Sequence, residues 1–289
     1  MAFRISDADL ARYLDDDAAP FDLTTELLGI GSVPSRITFR TREDAVVCCT
    51  DEASRLLTMC GADVENLIPS GTRVAPGDTL LVATGPADVL HQAWKVCLNL
   101  LDSLSGVATA MARLNEAAKE ANPNVAVLPT RKYFPGAKAL VTKAIVVGGS
   151  IPHRSGLAET VLVFENHLRL IGGIERLIER LPEMKSRAPE KRILVECSLE
   201  DAMRLAEAGV DGLQLDKVDP TELAATVPHL RAAAPGIVLL ATGGINLGNV
   251  AEFAATGVDG LVTSSPYSAK PIDMGARIEL ISEPRQLMA

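Results

Sequence analysis

The stretch RILVECSLEDAMRLAEAGVDGLQLD, residues 192–216, carries the pattern of a strand, a helix and a second strand in succession. Its two ends, 192–196 and 212–216, are compact apolar runs of the kind found in buried parallel strands. Between them, Ser198 begins a sequence resembling a capping box, and Gly209 follows the amphipathic segment where a helix would stop. Because parallel strands need a crossover helix, this stretch indicates an α/β fold.

The same alternation of strand-like and helix-like segments continues through the chain after residue 124. Further apolar runs lie at 125–128, 160–164, 236–241 and 260–263, with amphipathic segments between them. The pentapeptide GVDGL occurs twice, at 209–213 and 257–261, each time where a helix end turns into a strand. These βα units predict a barrel or a doubly wound sheet. We favour the barrel, because polar residues follow the carboxyl ends of the strands, where barrels carry their active sites.

The first third of the chain predicts mixed helices and short strands. Helices are expected over 7–14, 52–60 and 87–121, and strands over 36–40, 45–49 and 79–84. Gly61 suits the C-cap of the second helix, and Gly106 is expected to interrupt the third. Cys48 and Cys49 are adjacent in a strand-like run, so their side chains are expected on opposite faces.

The composition excludes several classes of function. The chain has 289 residues, a net charge of −9 and a pI near 5.1, which argues against a nucleic-acid-binding surface. The N-terminus lacks the pattern of a signal peptide, and no apolar run reaches the length that spans a membrane. The 5 cysteines form no CxxC pair, so zinc is not expected. We therefore expect a cytoplasmic protein with neither nucleic acid nor membrane as a partner.

Two short segments have the character of phosphate loops. Thr242, Gly243 and Gly244 precede a helix start, where glycines let the backbone approach an anion and free N–H groups attract it. Gly-Gly alone is more often an ordinary turn. Ser264 and Ser265 occupy the same place in the next βα unit, and the pair of loops favours phosphate binding.

Basic residues are concentrated in one segment of this acidic chain, because 130–158 contains no Asp or Glu. Arg131, Lys132, His153 and Arg154 flank turn-forming sequences, where ligand-contacting residues usually lie. Arginine offers a planar fork for carboxylate or phosphate oxygens. We interpret Lys143, by contrast, as a solvated lysine on a helix face.

Two carboxylates, Glu196 and Asp216, close two of the apolar strands. They could hold Mg²⁺ through water or accept hydrogen bonds from sugar hydroxyls. The alternative is a structural salt bridge to Lys132 or Lys217. Cations, two carboxylates and two phosphate loops on one face describe a site for a phosphorylated sugar with an anionic leaving group, and no Ser/His or Cys/His arrangement suggests acyl transfer.

These residues also carry a family resemblance. The sequence resembles the quinolinate phosphoribosyltransferases, the carboxylating nicotinate-nucleotide pyrophosphorylases, in Thr130-Arg-Lys132, Pro135-Gly136, Gly148-Gly149, His153-Arg-x-Gly-Leu157, Glu165-Asn-His167, Leu-Val-Glu196, Leu-Gln-Leu-Asp216, Thr242-Gly-Gly-Ile245 and Ala269-Lys270. Upstream, Phe21-Asp-Leu-Thr-Thr25, Pro76-Gly-Asp78, Leu98-Asn-Leu-Leu101 and Leu104-Ser-Gly-x-Ala-Thr109 match too. The segments 133–136 and 151–154 are most similar to the ModD branch, named for its place among molybdenum-transport genes.

The resemblance implies a type II phosphoribosyltransferase architecture. An N-terminal α/β sandwich (1–107, joined by 273–289) would pack on an incomplete α/β barrel of about seven strands (108–272). It implies an obligate homodimer, with a hexamer left open. It also implies transfer of phosphoribose from phosphoribosyl diphosphate to a pyridine dicarboxylate, with Mg²⁺ and loss of CO₂, as in NAD biosynthesis.

The resemblance also assigns roles by position. Lys132, Glu196 and Asp216 would bind the phosphoribosyl diphosphate and its metal. The 5′-phosphate would be held by Thr242, Gly243, Gly244, Ser264 and Ser265. The acceptor would be faced by Arg131, His153 and Arg154.

The chain departs from the family pattern on the acceptor side. Ser103 replaces an arginine that reaches across the dimer to the acceptor, Phe164 replaces a lysine, and Pro129 replaces an aspartate. Each lost charge-assisted contact is worth roughly 1.5–3 kcal/mol. We therefore expect a quinolinate-like nitrogen heterocycle, a small aromatic or heterocyclic acid, as the acceptor in a less cationic pocket. The alternatives are a non-catalytic relative that binds a phosphorylated ligand or molybdate, and a Schiff-base aldolase using Lys132 or Lys143.

Overall fold

The protein is described by a computed structural model over residues 5–18 and 20–281. Its described residues form two compact units, one from within 1–110, 134–148 and 269–289, the other from 111–133 and 149–268. The domain boundaries implied by the resemblance, after 107 and after 272, stay predictions. No helix in the described ranges combines the length and apolar character that crossing a bilayer requires.

The elements alternate along the chain. The strands are β1 (Pro34–Thr41), β2 (Ala45–Val46), β3 (Asp63–Leu67), β4 (Arg73–Val74), β5 (Thr79–Pro86), β6 (Ala126–Pro129), β7 (Val161–Val163), β8 (Ile193–Cys197), β9 (Gly212–Asp216), β10 (Val238–Thr242), β11 (Gly260–Thr263) and β12 (Met274–Leu280). The helices are α1 (Asp7–Asp17), α2 (Leu23–Leu28), α3 (Thr50–Cys60), α4 (Ala87–Ala121), α5 (Lys138–Val147), α6 (Glu165–Ile171), α7 (Ile174–Arg187), α8 (Leu199–Glu207), α9 (Pro220–Ala233) and α10 (Val250–Ala254), and a 3₁₀ turn covers Ser265–Ser268.

The first unit contains an antiparallel sheet in the order β12–β1–β5–β3, with a separate β2–β4 pair. Side chains on β1 alternate between solvent and core, with Ile37 and Phe39 fully buried. Leu56 and Leu57 of α3, which packs on the sheet, are fully buried as well. Burying each such side chain stabilises the unit by about 1.5–3 kcal/mol. The expected helices at 7–14, 52–60 and 87–121 are confirmed, as is the Gly61 C-cap.

The expected strand over 45–49 is shorter than its apolar run. Only Ala45 and Val46 pair with a neighbour, and Cys49 adopts a left-handed conformation with φ of 65° before α3. The expectation of opposite faces for Cys48 and Cys49 is therefore wrong, since their sulfurs lie 3.6 Å apart in the core. Strand alternation no longer applies where the chain turns into a helix.

The expected interruption at Gly106 is also wrong, because α4 runs through this residue. A Cβ atom at Gly106 would overlap the carbonyl oxygen of Lys270. The glycine thus serves a close approach of two backbone segments rather than a helix break.

Lys143 is the third correction. Its side chain on α5 is only 8% exposed, and its Nζ lies 2.6 Å from Glu52 Oε2, which is 2% exposed. Asp51 lies 3.3 Å from the same nitrogen. Although burial opposes it, the hydrogen bond and charge of Glu52 raise the pKa of Lys143. The residue is a buried, paired cation and not a solvated one.

The second unit contains six parallel strands in the order β6–β11–β10–β9–β8–β7. All six predicted strands are confirmed, two of them, 212–216 and 260–263, with the predicted ends. The outer strands β6 and β7 do not pair, so the sheet is an incomplete barrel and the predicted fold class is confirmed. Four inward side chains, Leu162, Leu194, Leu240 and Val262, form its inner apolar cluster.

The GVDGL repeat has a physical explanation in this sheet. In each copy the aspartate carboxylate accepts a backbone N–H near the start of a neighbouring strand, Asp211 from Ile193 and Asp259 from Leu239, both at 2.7 Å. The glycine after each aspartate faces the crowded interior, where a Cβ at Gly212 would lie 2.9 Å from a backbone oxygen. The repeat therefore pins the amino ends of the strands and leaves their carboxyl ends for a site.

Candidate active site

A cavity of about 890 Å³ opens at the carboxyl ends of the parallel strands in the second unit. It brings together all the predicted site residues of that unit, namely Arg131, Lys132, His153, Arg154, Phe164, Glu196, Asp216, Thr242, Gly243, Gly244, Ser264 and Ser265. Ser103 does not line it; this residue is exposed on α4 in the first unit. Neighbouring parallel strands end at the same edge, which is why residues far apart in sequence meet here.

The two carboxylates occupy different surroundings. Glu196 is half-buried near the end of β8, and its Oε2 accepts a 2.6 Å hydrogen bond from Gln214 Nε2. Burial raises the pKa of the Glu196 carboxyl, and the Asp216 charge acts in the same direction. The hydrogen bond from Gln214 and the charges of Lys132 and Lys217 oppose that increase.

The salt-bridge alternative applies to one of the two carboxylates. Lys217 Nζ lies 3.0 Å from Asp216 Oδ2, with the lysine side chain 79% exposed. Exposed pairs of this kind contribute little to stability. Neither carboxylate forms an ion pair with Lys132 within the described residues. The Lys217–Asp216 contact involves only one of the two carboxylates, so it does not explain why both β8 and β9 carry an acid near their carboxyl ends.

The loop after β10 is locked to the loop after β9. Gly243 has φ of 99°, and a Cβ there would lie 2.8 Å from the backbone nitrogen of Lys217. That nitrogen donates to the Thr242 carbonyl oxygen at 2.8 Å. Within the described chain, the N–H groups of Gly243 and Gly244 have no acceptor. Two backbone donors in such a glycine turn are suited to an anion.

The loop after β11 is tied to the same region. Thr263 Oγ1 donates to the Ile245 carbonyl oxygen at 2.6 Å and accepts the backbone N–H of Ser265 at 3.0 Å. Ser264 and Ser265 are half-buried at the pocket edge. The geometry supports the two-loop pattern expected from the sequence.

The cations of the pocket come from the segments after β6 and before β7. Arg131 and Lys132 are exposed, while His153 and Arg154 are half-buried. The His153 backbone N–H donates to the Pro129 carbonyl oxygen at 2.9 Å, which fixes the segment against β6. Burial, with a contribution from the Arg154 charge, lowers the pKa of His153 and so favours its neutral imidazole. The permanent cations of this wall are thus two arginines and a lysine.

Phe164 lies where the resemblance expects a lysine. Its ring packs against the inner apolar cluster, and the Arg154 guanidinium lies 5.7 Å from the ring centroid. The imidazole of His167 stacks on the Phe164 ring with the two centroids 5.9 Å apart, and its Nδ1 accepts the Phe164 backbone N–H at 2.9 Å. With Leu162 and Val262, the ring gives the pocket an apolar floor.

Gln214 is a pocket residue that the sequence reasoning did not single out. The signal was present, because it is the one polar residue inside the apolar run of β9 and lies two positions before Asp216. Residues two apart in a strand share a face. Leu162 and Val262 were missed because apolar strand residues are normally core.

The carboxylates of the pocket bear on the Mg²⁺ ion that the resemblance implies. No group of three or more His, Cys, Asp or Glu side chains in the described residues could hold a metal by itself. Mg²⁺ commonly binds through one or two carboxylates together with substrate phosphates. Glu196 and Asp216, at the ends of adjacent strands, fit that mode of binding.

The fold and the site define an α/β-barrel protein with a pocket suited to phosphorylated ligands. Two family models match it, "Quinolinate phosphoribosyl transferase, N-terminal domain" over residues 22–105 and the corresponding C-terminal domain over residues 107–277. Together they cover most of the chain. The protein therefore belongs to the quinolinate phosphoribosyl transferase family.

Its relatives agree with this assignment. The chain is 37% identical to the pyrophosphorylase named ModD of Rhodobacter capsulatus, over 88% of this chain and 98% of that one. It is 32% identical to the human carboxylating nicotinate-nucleotide pyrophosphorylase, over 86% and 82% of the two chains. The crystal structure of NadC from Streptococcus pyogenes shares the fold, with a TM-score of 0.87, 23% identity and coverage of 97% and 100%. The predicted resemblance, including its ModD branch, is confirmed.

Proposed function

We propose that this chain transfers phosphoribose from phosphoribosyl diphosphate to a nitrogen-heterocycle acceptor. The observation that carries the proposal is the single pocket lined by two carboxylates, two anion-suited loops and a wall of cations. Membership of the family supports phosphoribosyl transfer as the type of reaction.

The sugar-phosphate end of the reaction is assigned to the loops and carboxylates. The N–H groups of Gly243 and Gly244, with Thr242, Ser264 and Ser265, would bind the 5′-phosphate. Glu196 and Asp216 would orient the ribose hydroxyls and hold Mg²⁺, whose chemistry is to neutralise the diphosphate leaving group. Lys132 would face the same leaving group as the C1–O bond breaks toward an oxocarbenium-like state.

The acceptor end is assigned to Arg131, Arg154 and the apolar floor. Phe164 offers a flat apolar face, and Arg154 beside it offers a fork for one carboxylate. The lowered pKa of His153 favours its neutral form, so the arginines are the permanent cations at this end. We infer a planar aromatic acceptor with one carboxylate, because a second buried carboxylate would lack the cation that the family places at residue 164.

A second candidate function is a non-catalytic binding relative. Ser103 and Phe164 favour it, since both remove polar contacts to an acceptor. Such a protein would bind phosphoribosyl diphosphate or an oxyanion such as molybdate without releasing diphosphate. Lys143 is unsuited as the nucleophile of the aldolase alternative, because a lysine with a raised pKa and a buried ion pair is a poor nucleophile.

The deciding experiment measures diphosphate release from phosphoribosyl diphosphate and Mg²⁺ with quinolinate, nicotinate, other aromatic acids and azoles. We expect release with a monocarboxylate and much weaker release with quinolinate. A Glu196→Ala, Asp216→Ala double variant should lose turnover, whereas Glu190→Ala, at an 81% exposed carboxylate, should keep it. Binding without any release would favour the second candidate, and full turnover in the double variant would contradict the proposed roles.

The homodimer and the loss of CO₂ stay predictions. Light scattering of the purified chain tests the first, and trapping of labelled CO₂ during turnover tests the second.

A further inference from the structure

Gln214 is a buried amide in a place where an apolar side chain would fit. It is 4% exposed in the middle of β9, between Leu213 and Leu215, which are fully buried. Its side chain reaches the pocket and donates from Nε2 to Glu196 Oε2 at 2.6 Å. The strand register places Gln214 directly opposite Glu196 on β8.

The direction of this amide follows from hydrogen-bond chemistry. An ionised carboxylate can only accept hydrogen bonds, so Nε2 and not Oε1 must face Glu196. Oε1 then lies buried without a hydrogen-bond partner among the described residues. A buried polar atom without a partner is unfavourable and calls for an explanation outside fold stability. Leucine or methionine would fill the same volume without leaving such an atom.

The explanation lies in what faces Glu196. Asp216, from the neighbouring strand, repels its negative charge, while Lys132 and Lys217 attract that charge from the loops. Both lysines are exposed, so their charges are screened by solvent. Gln214 contributes the one direct hydrogen bond to the carboxylate within the described residues, and it is shielded from water.

We propose that Gln214 is a positioning residue, which holds the Glu196 carboxylate oriented toward the sugar diphosphate and its cation. This inference rests on the proposed function of Glu196. Without the amide, the carboxylate would lose its fixed rotamer.

The test is a double-mutant cycle. Gln214→Met keeps the volume and removes the donor. Glu196→Ala removes the carboxylate through which Gln214 acts, and a double variant combines the two changes. Leu213→Met is the matched control, since it changes an adjacent buried residue whose side chain points away from the pocket. Thermal melting first confirms that each variant is folded.

The readout is binding of magnesium phosphoribosyl diphosphate at one fixed pH. We expect affinity to fall about tenfold in Gln214→Met. In the Glu196→Ala background, the same change at Gln214 should have no further effect, because the carboxylate that it positions is absent. The control should overlay the wild type. A role in packing alone would lower affinity by the same factor in both backgrounds.

Outcomes for this inference and for the proposed function are separable. If wild type does not bind phosphoribosyl diphosphate, the proposed function fails. In that case, or where Glu196→Ala abolishes binding, the same cycle is measured on the melting temperature. Non-additive effects of the Gln214 and Glu196 changes support the inference. Additive effects would overturn it.

Discussion

Substitution of Gly243 by alanine tests whether the loop geometry of the pocket is built as described. Gly243 has φ of 99°, a conformation that costs an L residue about 1–3 kcal/mol. A Cβ there would also lie 2.6 Å from Lys217 Cγ, 2.8 Å from the Lys217 backbone nitrogen and 3.0 Å from Asp216 Oδ1. The lysine carbon can move, but the backbone nitrogen is fixed by its hydrogen bond to the Thr242 carbonyl oxygen.

We therefore expect Gly243→Ala to lower the free energy of unfolding by about 2–4 kcal/mol, combining strain and overlap. For a chain of this size, that corresponds to a fall in Tm of roughly 5–12 °C. Affinity for phosphoribosyl diphosphate should fall at least about tenfold, because the loop carrying Asp216 must shift. Differential scanning calorimetry and isothermal titration measure the two effects.

Alanine substitutions at two other glycines separate the effect of backbone strain from that of steric overlap. Gly244 has φ of 72° but open space around its Cβ position, so Gly244→Ala should show strain without overlap and an intermediate fall in Tm. Gly236 has open space and no left-handed conformation, so Gly236→Ala should melt within about a degree of wild type. Equal melting temperatures for all three variants would refute the reasoning.

Three further predictions concern other parts of the chain. Lys143→Met should destabilise the protein by about 3–5 kcal/mol, because it leaves Glu52 buried without its cation; denaturant unfolding measures this, with the exposed Lys138→Met as the neutral control. Phe164→Lys should raise kcat/KM for quinolinate about 10–100-fold by restoring one charge-assisted contact, whereas Phe164→Leu should not; no gain would contradict the proposed acceptor pocket. Burial raises the pKa of Asp102 from 3.8 to about 6, so the folded state binds its proton more tightly than the unfolded state does. Its contribution to stability is present below pH 4 and is lost as pH rises through 6. Asp102→Asn should therefore raise Tm at pH 8 and leave it unchanged at pH 4, and the reverse pattern in a pH-dependent melt would refute this.

The sequence predicted the second unit better than the first for a physical reason. Strands such as 212–216 and 260–263 are buried on both faces, so they appear as continuous apolar runs bounded by glycine or acid. β3 has the sequence DVENL and is largely exposed, so its pattern does not distinguish it from a loop. β12 pairs with β1 across more than 200 residues, as in Ile37 with Ile278, and local sequence carries no trace of that pairing.

The errors at the level of single side chains share a cause. Lys143 resembles a surface lysine because its partner Glu52 lies 91 residues earlier in the chain. Gln214 was passed over because its partner is on the next strand. By contrast, Glu196, Asp216, Gly243 and Ser264 were found because strand ends in a barrel share one edge. The strand topology brings such residues together, so their clustering can be predicted without knowing which side chains contact each other.

One end of the pocket is lined mainly by backbone and the other mainly by side chains. This difference determines how readily the residues at each end can be substituted among relatives. The proposed phosphate end consists of backbone, with Gly243, Thr242 and Lys217 interlocked, so most substitutions there should disturb the fold as well as ligand binding. The proposed acceptor end consists of side chains such as Phe164 and Arg154, which can be exchanged while the loops keep their shape. A family built this way can retain phosphoribosyl transfer while its acceptor changes. Membership of the family is therefore stronger support for the donor in this protein than for quinolinate as the acceptor.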